Sequence, residues 1–481
     1  MAEVPDEDKN PDDDFQDMIR EILSGGSGVD PSKLAGAAGL PSDPASLQAM
    51  MMQFQRAMQQ SSDGGINWDV SMEQAVQIGR KDAVSITPAD RAQFDQAFHI
   101  AELWLADVTT ISSLTNTPRT MSRAEWSKAT MPLWTQLAEP VANSISDALT
   151  TVLKEQAPEQ LQDMIGQATR MIKGVGGTMF AMQLGQVVGQ LSTEVVSGGD
   201  VGIPLLDDDA ALVPQNVAAF GDGLDIPADQ VQLYLAVREL AHARLFRHAR
   251  WLRLHVISSI TAFARGIRID TSAIEELASG FDPSNPEELR EAMTNGSLIP
   301  PKTDEQLAAL ERLETTLALI EGWVDVVTAE ATTRLPKAGA VAETVRRRRA
   351  TGGPAEQAFA TLVGLELRPR RLREAAAMWR TVTDAVGPGA RDALWQHPDL
   401  VPTSADIDDP AALVGRLEAT ERGEAPEPDE FDVALEDLLR AEGGSSSTTA
   451  DDGERENTDG ESGDDSGTET DRPSDDPPAV P

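Results

Sequence analysis

The sequence predicts a mainly α-helical body with one small β-hairpin or sheet, flanked by disordered acidic tails. Three observations carry that prediction. Apolar residues recur at helical spacing across most of positions 88–421, whereas strand-like signals are confined to 202–214. The two ends are acidic and poor in apolar residues, so they cannot bury enough surface to offset the entropy of ordering them. With 481 residues, 40% apolar content and eight tryptophans, the middle is long enough for a large core. The expected organisation is an acidic leader over 1–30, a short docking helix and linker over 31–65, a helical body over 66–425, and an acidic tail over 426–481.

Taken in order, Phe15–Leu23 has the pattern of a short amphipathic helix within the leader, and 45–60, with four methionines, reads as a helix that docks on the body. The stripe Phe94, Phe98, Leu103, Leu105 and Val108 predicts a helix from Pro88 to about Ile111. Met121–Glu155 follows, capped by Thr120 or Ser122 and expected to kink or split at Pro132 and Pro140. Two helices, 159–175 and 178–196, are expected on either side of Gly174–Gly177, and Gly185 and Gly189 mark a close helix contact. Gly202–Leu206 and Ala211–Pro214, joined by Asp207, Asp208 and Asp209, suggest the one hairpin. The three aspartates read as a solvated turn, because they lack the spacing of a calcium loop. Further helices are expected at 229–265, 272–280, 286–294, 303–334, 337–350, 354–362, 369–385 and 410–421, with Asp225 as the cap of the first and Pro227 in its opening turn.

Charge and composition exclude several functions. With 40 basic and 80 acidic residues the formal charge is −40, of which positions 1–20 contribute −6 and positions 441–481 contribute −11. A protein this acidic is repelled by nucleic-acid backbones, so no nucleic-acid partner is expected. The absence of cysteine removes disulfides, thiolate metal sites and cysteine nucleophiles. No basic and apolar leader opens the sequence and no run of about 18 apolar residues occurs, so cytoplasmic residence without a membrane partner is expected. Neither a Gly-x-Ser-x-Gly elbow nor a dinucleotide fingerprint is present.

The chemistry concentrates at Arg238-Glu239-Leu240-Ala241-His242. It reads as the helical zinc motif H-E-x-x-H with its first histidine replaced. In the intact motif two histidines at i and i+4 share a helix face and grip Zn²⁺, while the glutamate acts as general base on the metal-bound water. Positions 238 and 242 still lie about 40° apart around a helix. A guanidinium, however, is a permanent cation with no lone pair to donate. Arg238 cannot bind zinc. Of the five histidines, His248 and His255 also fall in this region, yet no two of the three chelate one ion from an unbroken helix.

The run Leu235–His248 together with Trp251-Leu252 resembles the zincin-like metallopeptidase type 2 family of actinobacteria. The likeness extends to Gly64–Trp68, Val213–Asn216, Glu321–Asp325, Gly352–Glu356 and Val363–Arg370, and covers roughly 60–415. This chain is similar to the branch that reads R-E-x-x-H. The resemblance implies a zincin-like, gluzincin-resembling helical body and a hydrolase of peptidase type that uses zinc. It also implies a second acidic helix, because Glu321 and Asp325 match a Glu-x-x-x-Asp arrangement in which the glutamate binds metal and the aspartate orients a histidine ligand.

Two functions follow. In one, Glu239 is the catalytic base, and His242 and Glu321 hold a metal. In the other, Arg238 pairs with Glu321 or Asp325 in place of the metal, and the chain is a silent scaffold that binds a peptide or protein. Arg346, Arg347, Arg348 and Arg349, with Arg368, Arg370, Arg371 and Arg373, form a basic island. It is either an anion site or a set of partners for the protein's own carboxylates.

Overall fold

The computed structural model describes residues 66–155, 162–207, 209–265, 302–367 and 369–423. The helices expected at Phe15–Leu23, 45–60, 272–280 and 286–294, the leader, the docking segment, the acidic tail, Asp208 and Arg368 lie outside these residues. The remainder is mostly helical, with one two-stranded parallel sheet among the described residues.

Helices α1 (Asp69–Arg80), α3 (Arg123–Glu155) and α4 (Gln162–Glu194) pack against one another. The expectation for Gly185 and Gly189 holds: a Cβ on Gly185 would lie 2.5 Å from the Ser71 carbonyl oxygen, and one on Gly189 would lie 2.8 Å from Ile78 Cβ. Only hydrogen at these positions lets α1 approach so closely. The break expected at Gly174–Gly177 does not occur, since α4 runs through its glycines, and of the two outcomes expected at the prolines the split does not occur, since α3 contains both Pro132 and Pro140. An interior proline costs about 3 kcal/mol. Burial of Trp126, Met131, Trp134, Leu137 and Val141 along α3 offsets that cost. Ser122 caps α3 as expected: its hydroxyl accepts from the Glu125 amide at 3.2 Å, and the Glu125 carboxylate accepts from the Ser122 amide at 2.7 Å.

Helix α2 (Pro88–Ala106) opens with a Thr87/Asp90 capping box, and α8 (Asp304–Ala331) with a Thr303/Gln306 box. Between them in the chain come α5 (Pro214–Gly221), α6 (Ala228–His248) and α7 (Arg250–Arg265). Helix α6 is the centre of the body. Tyr234 to Phe246 are buried without interruption, against α2 and α8 among others, and a helix apolar or paired on all sides belongs inside a core. Asp225 does not cap it: Pro227 holds the cap position, and Asp225 lies two residues before it at φ 51. The single helix expected over 229–265 breaks at Ala249, which no helix-breaking residue announces.

The C-terminal part contributes α9 (Ala338–Thr351), α10 (Pro354–Val363), α11 (Leu372–Ala393, kinked at Gly387), α12 (Ser404–Asp408) and α13 (Pro410–Glu421). Helix α11 packs along α8, and α9 crosses near α6 and α8.

The sheet differs from the expected hairpin. β2 (Ala211–Leu212) pairs in parallel with β1 (Arg119–Thr120), and Leu212 also bridges antiparallel to Ser197. Residues 203–206 form turns instead, because Pro204 has no amide to donate and Asp207 adopts φ 55. Asp207 pairs with Arg253 and Asp209 with Arg119. Replacing Gly185 with alanine is expected to destabilise the protein by about 1–3 kcal/mol through overpacking against α1. Urea denaturation checks this, and an unchanged midpoint would contradict the packing described.

Candidate functional site

Helix α6 supplies Arg238, Glu239 and His242, and α8 crosses it with Glu321 and Asp325. All five side chains are buried. His248 and His255 are exposed, the latter on α7 beyond the break, so neither enters the site.

Arg238 donates through Nη2 to Glu321 Oε2, joining α6 to α8. Burial works against the Arg238 charge, but Glu321, Tyr234 and Asp325 together outweigh it and hold the guanidinium firmly protonated. Burial likewise raises the Glu321 carboxyl, but Arg238, Arg349 and His242 overcome this and hold its pKa below the ordinary value. The pair is therefore ionised in both partners. Asp325 takes no part in it: its two oxygens accept from Arg346 Nε and Nη2, each at 3.0 Å, a bidentate pairing. It therefore contacts an arginine of α9 rather than the histidine that the resemblance implied.

His242 lies with Nε2 at 3.9 Å from Glu321 Oε1, too far for a hydrogen bond, and neither atom has a hydrogen-bond partner among the described residues. Burial pushes the His242 pKa down to about 4; the Glu321 charge resists this, while Arg238 and Arg349 add to it. The imidazole is neutral at pH 7.

Glu239 is engaged with backbone. Its Oε2 accepts from the Gly199 amide and its Oε1 from the Ala211 amide, each at 2.9 Å, with a further hydrogen bond from the Ser197 side chain. Burial raises its pKa, although these hydrogen bonds pull the other way. The carboxylate ties α6 to β2 and to the segment that precedes it.

That segment, 197–202, carries the site features that motif reading missed. A Cβ on Gly198 would lie 2.8 Å from Glu239 Oε1, one on Gly199 would lie 2.5 Å from His242 Nδ1, and one on Gly202, where φ is +83, would lie 2.9 Å from Glu321 Oε1. Three glycines in five residues were the available signal. Arg349 was grouped with the island, yet it belongs to the site: its Nη2 lies 3.7 Å from Glu321 Oε1 and donates to the Val201 carbonyl at 3.0 Å.

The arginine island does not gather into one patch. Arg348 pairs with Asp200 at 2.8 Å, Arg370 with Glu314 and Glu366 at 3.4 Å, Arg371 with Asp408, and Arg373 with Glu343 at 3.7 Å, while Arg347 is exposed. The protein's own carboxylates meet most of these charges.

A long buried helix carrying R-E-x-x-H, crossed by a second helix that presents an acid to it, is the framework of a zincin. A family model for zincin-like metallopeptidases matches residues 66–414. The chain belongs to that family. Among solved structures, it is similar to a candidate hydrolase with a novel fold from Chloroflexus aurantiacus, at 19% identity and a TM-score of 0.50, covering 73% of this chain and 99% of the other. This likeness concerns the fold alone. Comparison with curated proteins found no match. Among the described residues no helix is long and apolar enough to cross a membrane.

Two outcomes test the site geometry. Glu239→Gln keeps the shape but turns an amide donor toward a backbone N–H. It is expected to cost about 1–3 kcal/mol in urea denaturation, whereas a glutamate serving only as a base would tolerate the change. The His242 pKa drops from 6.5 to about 4 on folding, so the unfolded chain binds the extra proton between those values. Stability therefore falls as pH falls from 6.5 to 4, by about 3 kcal/mol from this group. Glu239, with its raised pKa, contributes with the opposite sign, but equally in His242→Gln. The difference between wild type and His242→Gln across that range isolates the histidine, and parallel curves would contradict its buried, neutral state.

Proposed function

We propose that this chain is a metal-free member of its family, in which the Arg238–Glu321 ion pair replaces the zinc bonds and the protein binds rather than cleaves. The observation that carries this reading is the ion pair itself, buried between the two helices that would otherwise share a metal.

Zinc does not fit the donor set. Structural and catalytic zinc sites take three or four protein ligands. Here the first motif position is a cation, and Glu239 is engaged with backbone amides. The lone pairs that remain are those of His242 and Glu321, and no group of three or more histidine, aspartate or glutamate side chains converges among the described residues. Arg238 and Arg349 would also repel a dication at the point where those two meet. A peptide or protein is the partner class that family membership supports, and the net charge of −40 speaks against nucleic acid.

One observation favours a second reading, in which the chain is a zinc-dependent hydrolase with Glu239 as base: the His242 Nε2 and Glu321 Oε1 lone pairs face each other at 3.9 Å without hydrogen bonds. Metal analysis separates the two. Protein purified without added zinc is expected to hold well under one equivalent, and Arg238→His to take up about one, because it restores a third ligand. Additional replacement of His242 by alanine should abolish that uptake. Near-stoichiometric zinc in the wild type, lost in His242→Ala, would overturn the proposal.

A further inference from the structure

Two small clefts flank one stretch of backbone. The first is lined by Asp200, Val201, Arg348, Arg349 and Glu356, and the second by Gly198, Gly199, Glu239, His242 and Phe246. Segment 197–202 runs between them. While it is seated, His242 is 4% exposed, at the floor of the second cleft, and Glu321 is 0% exposed.

The segment is a turn, closed by a 2.9 Å hydrogen bond from the Gly202 amide to the Gly199 carbonyl, and three of its six residues are glycine. Glycine regains the most backbone freedom on release, which lowers the cost of local opening. Val201 packs in the core and Ser197 bridges Leu212, and the other attachments are polar. Arg348 reaches Asp200 at 2.8 Å, Arg349 reaches the Val201 carbonyl at 3.0 Å, and the Gly198 and Gly199 amides donate at 2.9 Å to the Ala211 carbonyl and to Glu239. Asp200 in turn accepts from the Val196 amide at 2.9 Å, which fixes the entry to the turn.

We infer that segment 197–202 is a removable plug, held over the His242–Glu321 pair by the Arg348–Asp200 ion pair, and that its release joins the two clefts into one groove. Helix α9 then has a defined task. Arg346 fixes Asp325 on α8, while Arg348 and Arg349 hold the plug. The inference concerns access to the site and stands whether or not zinc binds there.

Native-state hydrogen exchange of the full chain in low urea, read by peptide mass spectrometry, tests it. Peptides spanning 196–206 are expected to exchange at least about tenfold faster than those from α6 and α8, through a local opening. Modification of His242 by diethyl pyrocarbonate should rise in step with that opening. Arg348→Ala removes a charge-assisted bond and is expected to raise both rates by roughly a further tenfold, with α8 unchanged. A single rate shared by the segment and both helices in wild type, or His242 modification that appears only on global unfolding, would overturn the plug. The wild-type comparison decides the matter even if the variant does not fold. Zinc in the wild type would sink the metal-free reading and leave the plug intact; uniform exchange would do the reverse.

Discussion

A permanent cation buried between two helices must be met by an anion. Arg238 on α6 is 8% exposed and cannot discharge, so the fold is tenable only with Glu321 opposite it. Breaking such a pair by removing one partner strands a charge in the core. The crossing of α6 and α8 thus combines apolar packing with one buried ionic contact.

The other features follow from keeping that contact dry and balanced. Arg349 supplies a second cation beside Glu321, and burial keeps His242 neutral, so it adds no third positive charge. Glu239 accepts from backbone amides and joins α6 to β2. The glycines of 197–202 let backbone lie directly on these side chains, which a Cβ at any of the three positions would prevent. Asp325, one turn beyond Glu321, is neutralised separately by Arg346.

Much of this was legible in the residues, though unevenly. Helices with strong caps and clear apolar stripes, such as α2 and α8, announced themselves, and the side-chain chemistry of arginine was enough to pair Arg238 with Glu321 or Asp325, between which the fold selects Glu321. What remained hidden was tertiary. Pro132 and Pro140 suggest a split that the buried tryptophans of α3 override, and Gly174–Gly177 suggest a break where α4 is continuous. Ala249 interrupts α6 and α7 without any local signal. The hairpin was misread because the partner of β2 lies some 90 residues earlier in the chain, at Arg119 and Thr120. The plug was missed for a related reason: its glycines matter through what they touch on α6 and α8, and contact across the fold leaves no periodicity.

A double-mutant cycle on Arg238→Met and Glu321→Met, followed by urea denaturation, tests the central claim most directly. If the pair replaces the metal as the link between α6 and α8, each single change should cost about 3–5 kcal/mol, and the double change should cost less than their sum by at least about 2 kcal/mol. Losses that simply add would mean that the two charges do not depend on each other, and would contradict the account.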